Sequence, residues 1–147
     1  MPQLFADSAA TLVAPDSVAG SRSETLRKAP TILVVDDERE VVTALEAALR
    51  DQGYSVATAC NGADAIDQAI QLRPAIVVTD LLMPVIDGIA LAKALRRNPA
   101  TAAARIVLSS GVSEGSVRAM FNGYDAYLQK PYELADLRET VAGLLTD

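Results

Sequence analysis

The chain has 147 residues, half of them hydrophobic, with one cysteine, no histidine and a formal net charge of −6. This length suits one domain that can bury its own core, and no apolar run approaches the roughly eighteen residues needed to span a membrane. The acidic balance argues against a nucleic-acid surface, which would need a basic face. Without histidine, a zinc site of the usual ligands cannot be built, whereas oxygen ligands suit Mg²⁺ or Ca²⁺.

Residues 1–30 differ in composition from residues 31–147. Ser, Ala, Thr and Pro dominate the first segment, and its three acids and three bases cancel, so the whole negative charge falls on residues 31–147. We expect a largely disordered tail over residues 1–30, with a weak helix around residues 22–28 that Pro30 would stop. No secretory signal pattern is present, and a single cysteine suits a reducing compartment, so we expect a cytoplasmic protein.

From residue 31 onward, short apolar runs alternate with segments of helical period. Five strands are predicted, at residues 31–35, 55–59, 75–79, 105–108 and 126–129. Helices are predicted at about 38–51, 61–72, 88–97, 113–121 and 134–145. The residues expected to face inward on four of these helices are Val41, Leu45, Ala48 and Leu49; Ile66, Ala69 and Ile70; Ile89, Ala92 and Leu95; and Leu134, Leu137, Val141, Leu144 and Leu145.

This alternation predicts an α/β fold in which a parallel sheet carries helices on both faces through right-handed crossovers. The first, third and fourth strands are the most apolar and should be central. The prediction is therefore a doubly wound, flavodoxin-like (βα)5 three-layer sandwich with strand order 2-1-3-4-5. Its switch point lies between the first and third strands, where ligands bind in such folds.

Polar side chains follow the strands that end at this crevice. Asp36 and Asp37 follow the first strand, Asp80 the third, Ser109 the fourth and Lys130 the fifth. Acids crowded at one edge repel each other unless a cation is present. Mg²⁺ commonly bridges carboxylates to phosphate oxygens, lysine suits a phosphoryl oxygen, and aspartate can form an aspartyl-phosphate. One strand-end acid could simply be solvated or cap a helix, but this combination favours phosphoryl transfer.

The same stretches resemble the receiver domain of two-component response regulators. The matching sequences are ILVVDD at 32–37, TDLLMPVIDG at 79–88, IVLSS at 106–110 and DAYLQKPY at 125–132. The similarity covers about residues 30–147. In this family, a phosphorylated histidine on a kinase or phosphotransfer protein donates its phosphoryl group to the aspartate after the third strand.

The resemblance implies a role for each acid at the crevice. Asp80 would be the phosphoacceptor. Asp37, with Asp80 and the backbone carbonyl of Leu82, would hold Mg²⁺, and Asp36 would assist.

It also implies how the phosphoryl group would be sensed. Lys130 would pair with Asp80 at rest and with the phosphoryl group afterwards, and Ser109 would donate a hydrogen bond to a phosphoryl oxygen. Tyr127 would swing inward into the space that Ser109 vacates. The change would be displayed on the face formed by the fourth helix, fifth strand and fifth helix.

The sequence thus predicts a stand-alone phosphorylation switch that does not turn over an external substrate. Its expected partners are a sensor histidine kinase or histidine phosphotransfer protein and a downstream protein, with no nucleic acid and no membrane insertion. The alternative is a receiver-like module that binds partners without phosphorylation. A phosphatase with a nucleophilic aspartate would carry a second acid where Leu82 stands, and a nucleotide-binding domain would lack the acids that start at Asp36.

Overall fold

The computed structural model describes residues 29–146, so nearly all of the tail predicted for residues 1–30, including its weak helix, lies outside the described residues. Within them, strands and helices alternate from end to end. The elements are β1 (Thr31–Val35), α1 (Arg39–Arg50), β2 (Ser55–Ala59), α2 (Gly62–Leu72), β3 (Ile76–Asp80), α3 (Gly88–Arg97), β4 (Arg105–Ser110), α4 (Glu114–Met120), β5 (Ala126–Gln129) and α5 (Leu134–Thr146).

The strands form one parallel sheet in the order β2-β1-β3-β4-β5, which confirms the predicted order and its switch point between β1 and β3. The register pairs Val35 with Thr79 and Asp80 with Ser109. Because all strands point the same way, their carboxyl ends share one edge of the sheet. The residues that end β1, β3, β4 and β5 are therefore gathered at that edge.

Strand side chains alternate between the two faces of the sheet, which gives the fold two hydrophobic cores. Leu33 and Val35 of β1 face a core that includes residues of α2, α3 and α4. Ile32 and Val34 face a core that includes residues of α1 and α5. This is the predicted three-layer arrangement.

Most residues predicted to face inward are buried or half-buried, but the prediction is wrong for some of them. On α2, Ile70 is 38% exposed and Ala65 is fully buried instead, because the small Ala65 and Ala69 face the sheet. On α5, Leu134 is 39% exposed at the helix start. Two fully or nearly buried residues, Leu91 of α3 and Val42 of α1, were not in the predicted stripes.

The strand bounds also differ where the site begins. β3 runs one residue further than predicted, so Asp80 is its last residue, and β4 runs two residues further, to Ser110. The extra residues are held by neighbouring strands: Asp80 of β3 pairs with Ser109 of β4, and Ser110 pairs with Gln129 of β5. The sheet thus holds the backbone of Asp80 and of Ser109 in register.

The loop after β3 is closed tightly against the strand. The Gly88 amide donates to the carbonyl of Leu81 at 2.8 Å, and the Asp87 side chain caps α3 by accepting from the Ala90 amide at 2.8 Å. A Cβ placed on Gly88 would lie 2.5 Å from the carbonyl oxygen of Asp80. Glycine at this position therefore allows α3 to start directly beside the end of β3.

Replacing Gly88 with alanine should disturb this closure. The added methyl would meet backbone atoms of Asp80 and Leu81, which cannot rotate away. We expect Gly88→Ala to lower the free energy of unfolding by about 1–3 kcal/mol, measured by denaturant titration. The matched control is Gly143→Ala in α5, where nothing lies within 4 Å. That variant should gain about 0.5–1 kcal/mol, and equal effects of the two variants would contradict this account of Gly88.

Candidate functional site

Three carboxylates meet at the carboxyl edge of the sheet. Oxygen atoms of Asp36, Asp37 and Asp80 all lie within 4.8 Å of one another. Asp36 and Asp80 are 2% and 9% exposed, whereas Asp37 is exposed. The acids predicted to converge from β1 and β3 are therefore brought together, two of them largely out of water.

Lys130 reaches this cluster from the end of β5. Its Nζ lies 3.2 Å from Oδ1 of Asp80 and 3.7 Å from Oδ2 of Asp36. Its amide donates to the carbonyl of Ser110 at 2.8 Å, and the Lys130–Pro131 peptide bond is cis. Lys130 is the one base that forms ion pairs with these acids within residues 29–146.

The electrostatics of the cluster are those of crowded acids with one counter-ion. Burial raises the pKa of the Asp36 carboxyl, and the negative charges of Asp80 and Asp37 add to this effect. The Glu38 amide, which donates to Asp36 at 2.9 Å, and the charge of Lys130 oppose it. Three carboxylates and one ammonium leave a formal charge of −2 when all are ionised.

The pKa of Lys130 shows which effect dominates at the lysine. Burial alone would lower its pKa, but the hydrogen bond to Asp80 and the charges of Asp80 and Asp36 outweigh burial and raise it. Lys130 is therefore firmly protonated in this environment. A fixed ammonium beside the Asp80 carboxylate is suited to a second anion that arrives at the same place.

Ser109 and Leu82 complete the set predicted around Asp80. Ser109 is 3% exposed, lies beside Asp80 in the β3–β4 register, and accepts a hydrogen bond from the Leu81 amide at its carbonyl, at 2.8 Å. Leu82 follows in the loop with its side chain turned outward, 65% exposed. Of these two residues, Ser109 offers a side-chain donor, and Leu82 offers only backbone groups.

Tyr127 lies on β5 outside the acidic cluster. It is half-buried against the core that includes α2, α3 and α4, and its hydroxyl donates to the carbonyl of Val112 in the loop between β4 and α4. The predicted sensing tyrosine is thus attached to the segment that leaves Ser109 and Ser110. This contact could not be predicted from the spacing of Val112 and Tyr127 alone.

Tyr132 is a site residue to which sequence reasoning gave no role. The pKa of the Tyr132 phenol is raised, mainly because the side chain is partly buried. The charge of Lys130 opposes this rise. Tyr132 lines the same surface pocket as Lys130 and packs against the core that includes α1 and α5. Its position two residues after Lys130, within the matching stretch 125–132, was the available signal.

The donors fit Mg²⁺. It takes oxygen ligands at about 2.1 Å in an octahedron, so two of its ligands lie at most about 4.2 Å apart. The three carboxylates, spread over 4.8 Å, need only a small adjustment to share one ion. The formal charge of −2 on the cluster matches the charge of a divalent cation.

Comparison with known sequences gives a family for the chain. The family model described as the response regulator receiver domain matches residues 32–142. The transcriptional regulatory protein PrrA of Mycobacterium tuberculosis is 39% identical over 116 residues, which are 79% of this chain and 50% of PrrA. The alkaline phosphatase synthesis regulator PhoP of Bacillus subtilis is 32% identical over 78% of this chain and 48% of PhoP. The chain spans about half the length of these curated relatives.

Comparison with solved structures supports the same fold. A putative response regulator from Chloroflexus aurantiacus matches with a TM-score of 0.75 and 34% identity, over 82% of this chain and 100% of that one. The receiver domain of the sensor histidine kinase PA1611 from Pseudomonas aeruginosa, crystallised with a magnesium ion in its active-site cleft, matches with a TM-score of 0.74 and 25% identity, over 81% and 99%.

These findings agree with the predicted fold. Within residues 29–146, no helix is long and apolar enough to cross a membrane. The match to the family model covers most of the chain, including every element from β1 into α5. The chain therefore belongs to the response regulator receiver domain family of two-component signalling proteins.

Proposed function

We propose that this receiver accepts a phosphoryl group from a phosphohistidine onto Asp80, in a reaction that depends on Mg²⁺. The observation that carries the proposal is the position of Asp80. It ends a central strand, its carboxylate lies 3.2 Å from Lys130, and two further acids lie within 4.8 Å of it. In this proposal, Asp80 would serve as the nucleophile, Lys130 as the cation for the transferred group, and the acids as metal ligands.

In the proposed step, an oxygen of Asp80 attacks phosphorus while the bond from phosphorus to the histidine nitrogen breaks. The leaving imidazole keeps the electron pair of that bond, and the product is an aspartyl-phosphate. Lys130, now paired with Asp80, would pair with a phosphoryl oxygen, and the neighbouring Ser109 would donate a hydrogen bond to another. Lys130 already lies 3.2 Å from Asp80, and a cation held in place beforehand stabilises charge with little reorganisation during the reaction.

The metal ligands in this proposal come from the acidic cluster. Asp37, Asp80 and the backbone carbonyl of Leu82 would hold Mg²⁺, and the buried Asp36 would assist. Bound there, Mg²⁺ would supply positive charge against the phosphoryl oxygens. The acids themselves would concentrate cations at the edge where Asp80 lies.

The signal would leave through the face formed by α4, β5 and α5. Movement of Ser109 toward the phosphoryl group would pull on the segment that carries Val112, to which the Tyr127 hydroxyl is bound. Tyr127 would then turn inward and change that face, as a two-state element biased by a local charge. The proposed donors are a sensor histidine kinase or a phosphotransfer protein, and the reader is a downstream protein.

We further propose that the chain acts as a signalling protein in the cytoplasm rather than as an enzyme on external substrates. A stand-alone role stays a prediction, because the curated relatives are about twice as long as the matched segment. Binding of partners without phosphorylation is the alternative.

The direct test is intact mass after incubation with acetyl phosphate and Mg²⁺. We expect wild type to gain one phosphoryl group, and Asp80→Asn or omission of the metal to abolish the gain. The matched control is Asp87→Asn in the same loop, because asparagine also caps helices and Asp87 serves as the cap of α3. A gain that survives Asp80→Asn would mean another acceptor. No gain in folded wild type would favour the phosphorylation-independent alternative.

Replacing Lys130 with methionine should separate metal binding from phosphoryl transfer. Removal of the ammonium leaves the acids unneutralised, so Mg²⁺ should bind more tightly in calorimetric titration. Phosphorylation by acetyl phosphate should slow about a hundredfold, because a fixed cation for the transferred group is lost. Lys93→Met, which removes an exposed lysine of α3, should change neither quantity. Weaker Mg²⁺ binding, or undiminished phosphorylation, in Lys130→Met would count against the assigned role.

A further inference from the structure

A row of aromatic rings joins the end of α4 to β5. The ring centroids of Phe121 and Tyr124 lie 6.4 Å apart, and those of Tyr124 and Tyr127 lie 5.9 Å apart. All three rings pack against the core that includes α2, α3 and α4. Tyr124 thus lies between Tyr127, the proposed sensing tyrosine, and Phe121 at the end of α4.

Tyr124 is also tied to the start of α4. Its hydroxyl donates to Oε2 of Glu114 at 2.9 Å, and Glu114 is the first residue of the helix. The same carboxylate forms an ion pair with Arg118, whose guanidinium carbon lies 5.5 Å from the centroid of the Tyr124 ring. Glu114, Arg118 and Tyr124 form a closed network that we call the α4 latch.

The segment before α4 is held on two sides. The Val112 carbonyl accepts from Tyr127, and the Val112 amide donates to Oγ of Ser110 at 3.0 Å. Glu114 follows Val112 by two residues, so this segment cannot shift far without moving Glu114 relative to Tyr124. A movement of Ser109 that is passed to Val112 would therefore shift Glu114 and strain or break its hydrogen bond with Tyr124.

α4 has little else to fix it. It is seven residues long, Val117 is its buried residue, and Gly115 lies in its first turn. A short helix with one buried side chain gains little from packing. The hydrogen bond from Tyr124 to Glu114 is consequently one of the few side-chain interactions that connect α4 to the rest of the described chain.

We propose that Tyr124 is a positioning residue whose hydroxyl, acting through Glu114, holds α4 in the arrangement of the unphosphorylated chain and sets the threshold for the switch. This inference rests on the proposed function and concerns its regulation. An interaction that stabilises one of two arrangements shifts the equilibrium by its difference between them. Loss of the Tyr124 hydroxyl should then favour the other arrangement, and favour phosphorylation through the same coupling.

The test compares Tyr124→Phe with wild type by hydrogen exchange of residues 112–120, without and with acetyl phosphate and Mg²⁺. Phenylalanine keeps the ring and removes only the hydroxyl. Before phosphorylation, exchange in the variant should be about fivefold faster, which corresponds to ~1 kcal/mol, as expected for one hydrogen bond. At a given concentration of acetyl phosphate, a larger fraction of the variant should carry a phosphoryl group, and the exchange difference between the two states should shrink.

Two further variants make the result specific. Tyr54→Phe is the matched control, because Tyr54 packs against the other core, with α1 and α5, and should exchange and react as wild type. Glu114→Ala should reproduce Tyr124→Phe, and the double variant should add little.

The proposal is overturned if wild type is phosphorylated but Tyr124→Phe exchanges and reacts as wild type does. It is also overturned if the two single effects simply add. If wild type takes no phosphoryl group, the proposed function fails. The claim that the α4 latch holds α4 is then still tested by hydrogen exchange without acetyl phosphate. Unchanged exchange of residues 112–120 in Tyr124→Phe would contradict that claim.

Discussion

Repulsion among three carboxylates at one edge of the sheet is the constraint on which the rest of the site depends. Asp36 and Asp80 are largely withdrawn from water, and burial together with the negative charges of its neighbours raises the pKa of the Asp36 carboxyl. Lys130 offsets part of that charge by lying 3.2 Å from Asp80 and 3.7 Å from Asp36. The remaining negative charge is what a divalent cation would offset in the function proposed for this edge.

The fold supports this constraint from several directions. β1 and β3 deliver the acids because parallel strands end together, and Gly88 lets the next helix start beside the Asp80 carbonyl. The lysine is placed by β5, and the turn before that strand is fixed by Asp125. The Asp125 carboxylate accepts from the Ile106 amide at 2.7 Å and pairs with Arg96 at 2.8 Å. The contacts of Asp125, just before β5, thus help to place Lys130, which follows the other end of the same strand.

Much of this could be predicted from the sequence, because its strongest signals are one-dimensional. Apolar runs separated by helical stripes indicated the strand order, and the residue after each run indicated which groups meet at Asp80. The bounds of β3 and β4 were less predictable, since the ladder between neighbouring strands decides where each ends. Ile70 was misplaced because the small Ala65 and Ala69, rather than the largest apolar residue, face the sheet on α2.

Contacts between residues that are distant in sequence could not be predicted from the sequence. The bond from Tyr127 to the Val112 carbonyl and the bond from Tyr124 to Glu114 depend on the path of the loop from Phe121 to Asp125. No period or spacing in the sequence encodes that path. The residues that meet at Asp80 could be predicted because they end strands, whereas the contact between Tyr124 and α4 became visible only in three dimensions.

The most direct test of the central claim is thermal unfolding with and without Mg²⁺. If the acids hold one cation, Mg²⁺ at about a hundred times its Kd should stabilise the fold by about 2.7 kcal/mol. We expect Mg²⁺ to raise the Tm of wild type and of Asp67→Asn, a variant of an exposed acid on α2, but not of Asp37→Asn. Without the metal, Asp37→Asn should be no less stable than wild type, because one repelling charge is gone. An equal rise in all three proteins, or none in wild type, would contradict the account.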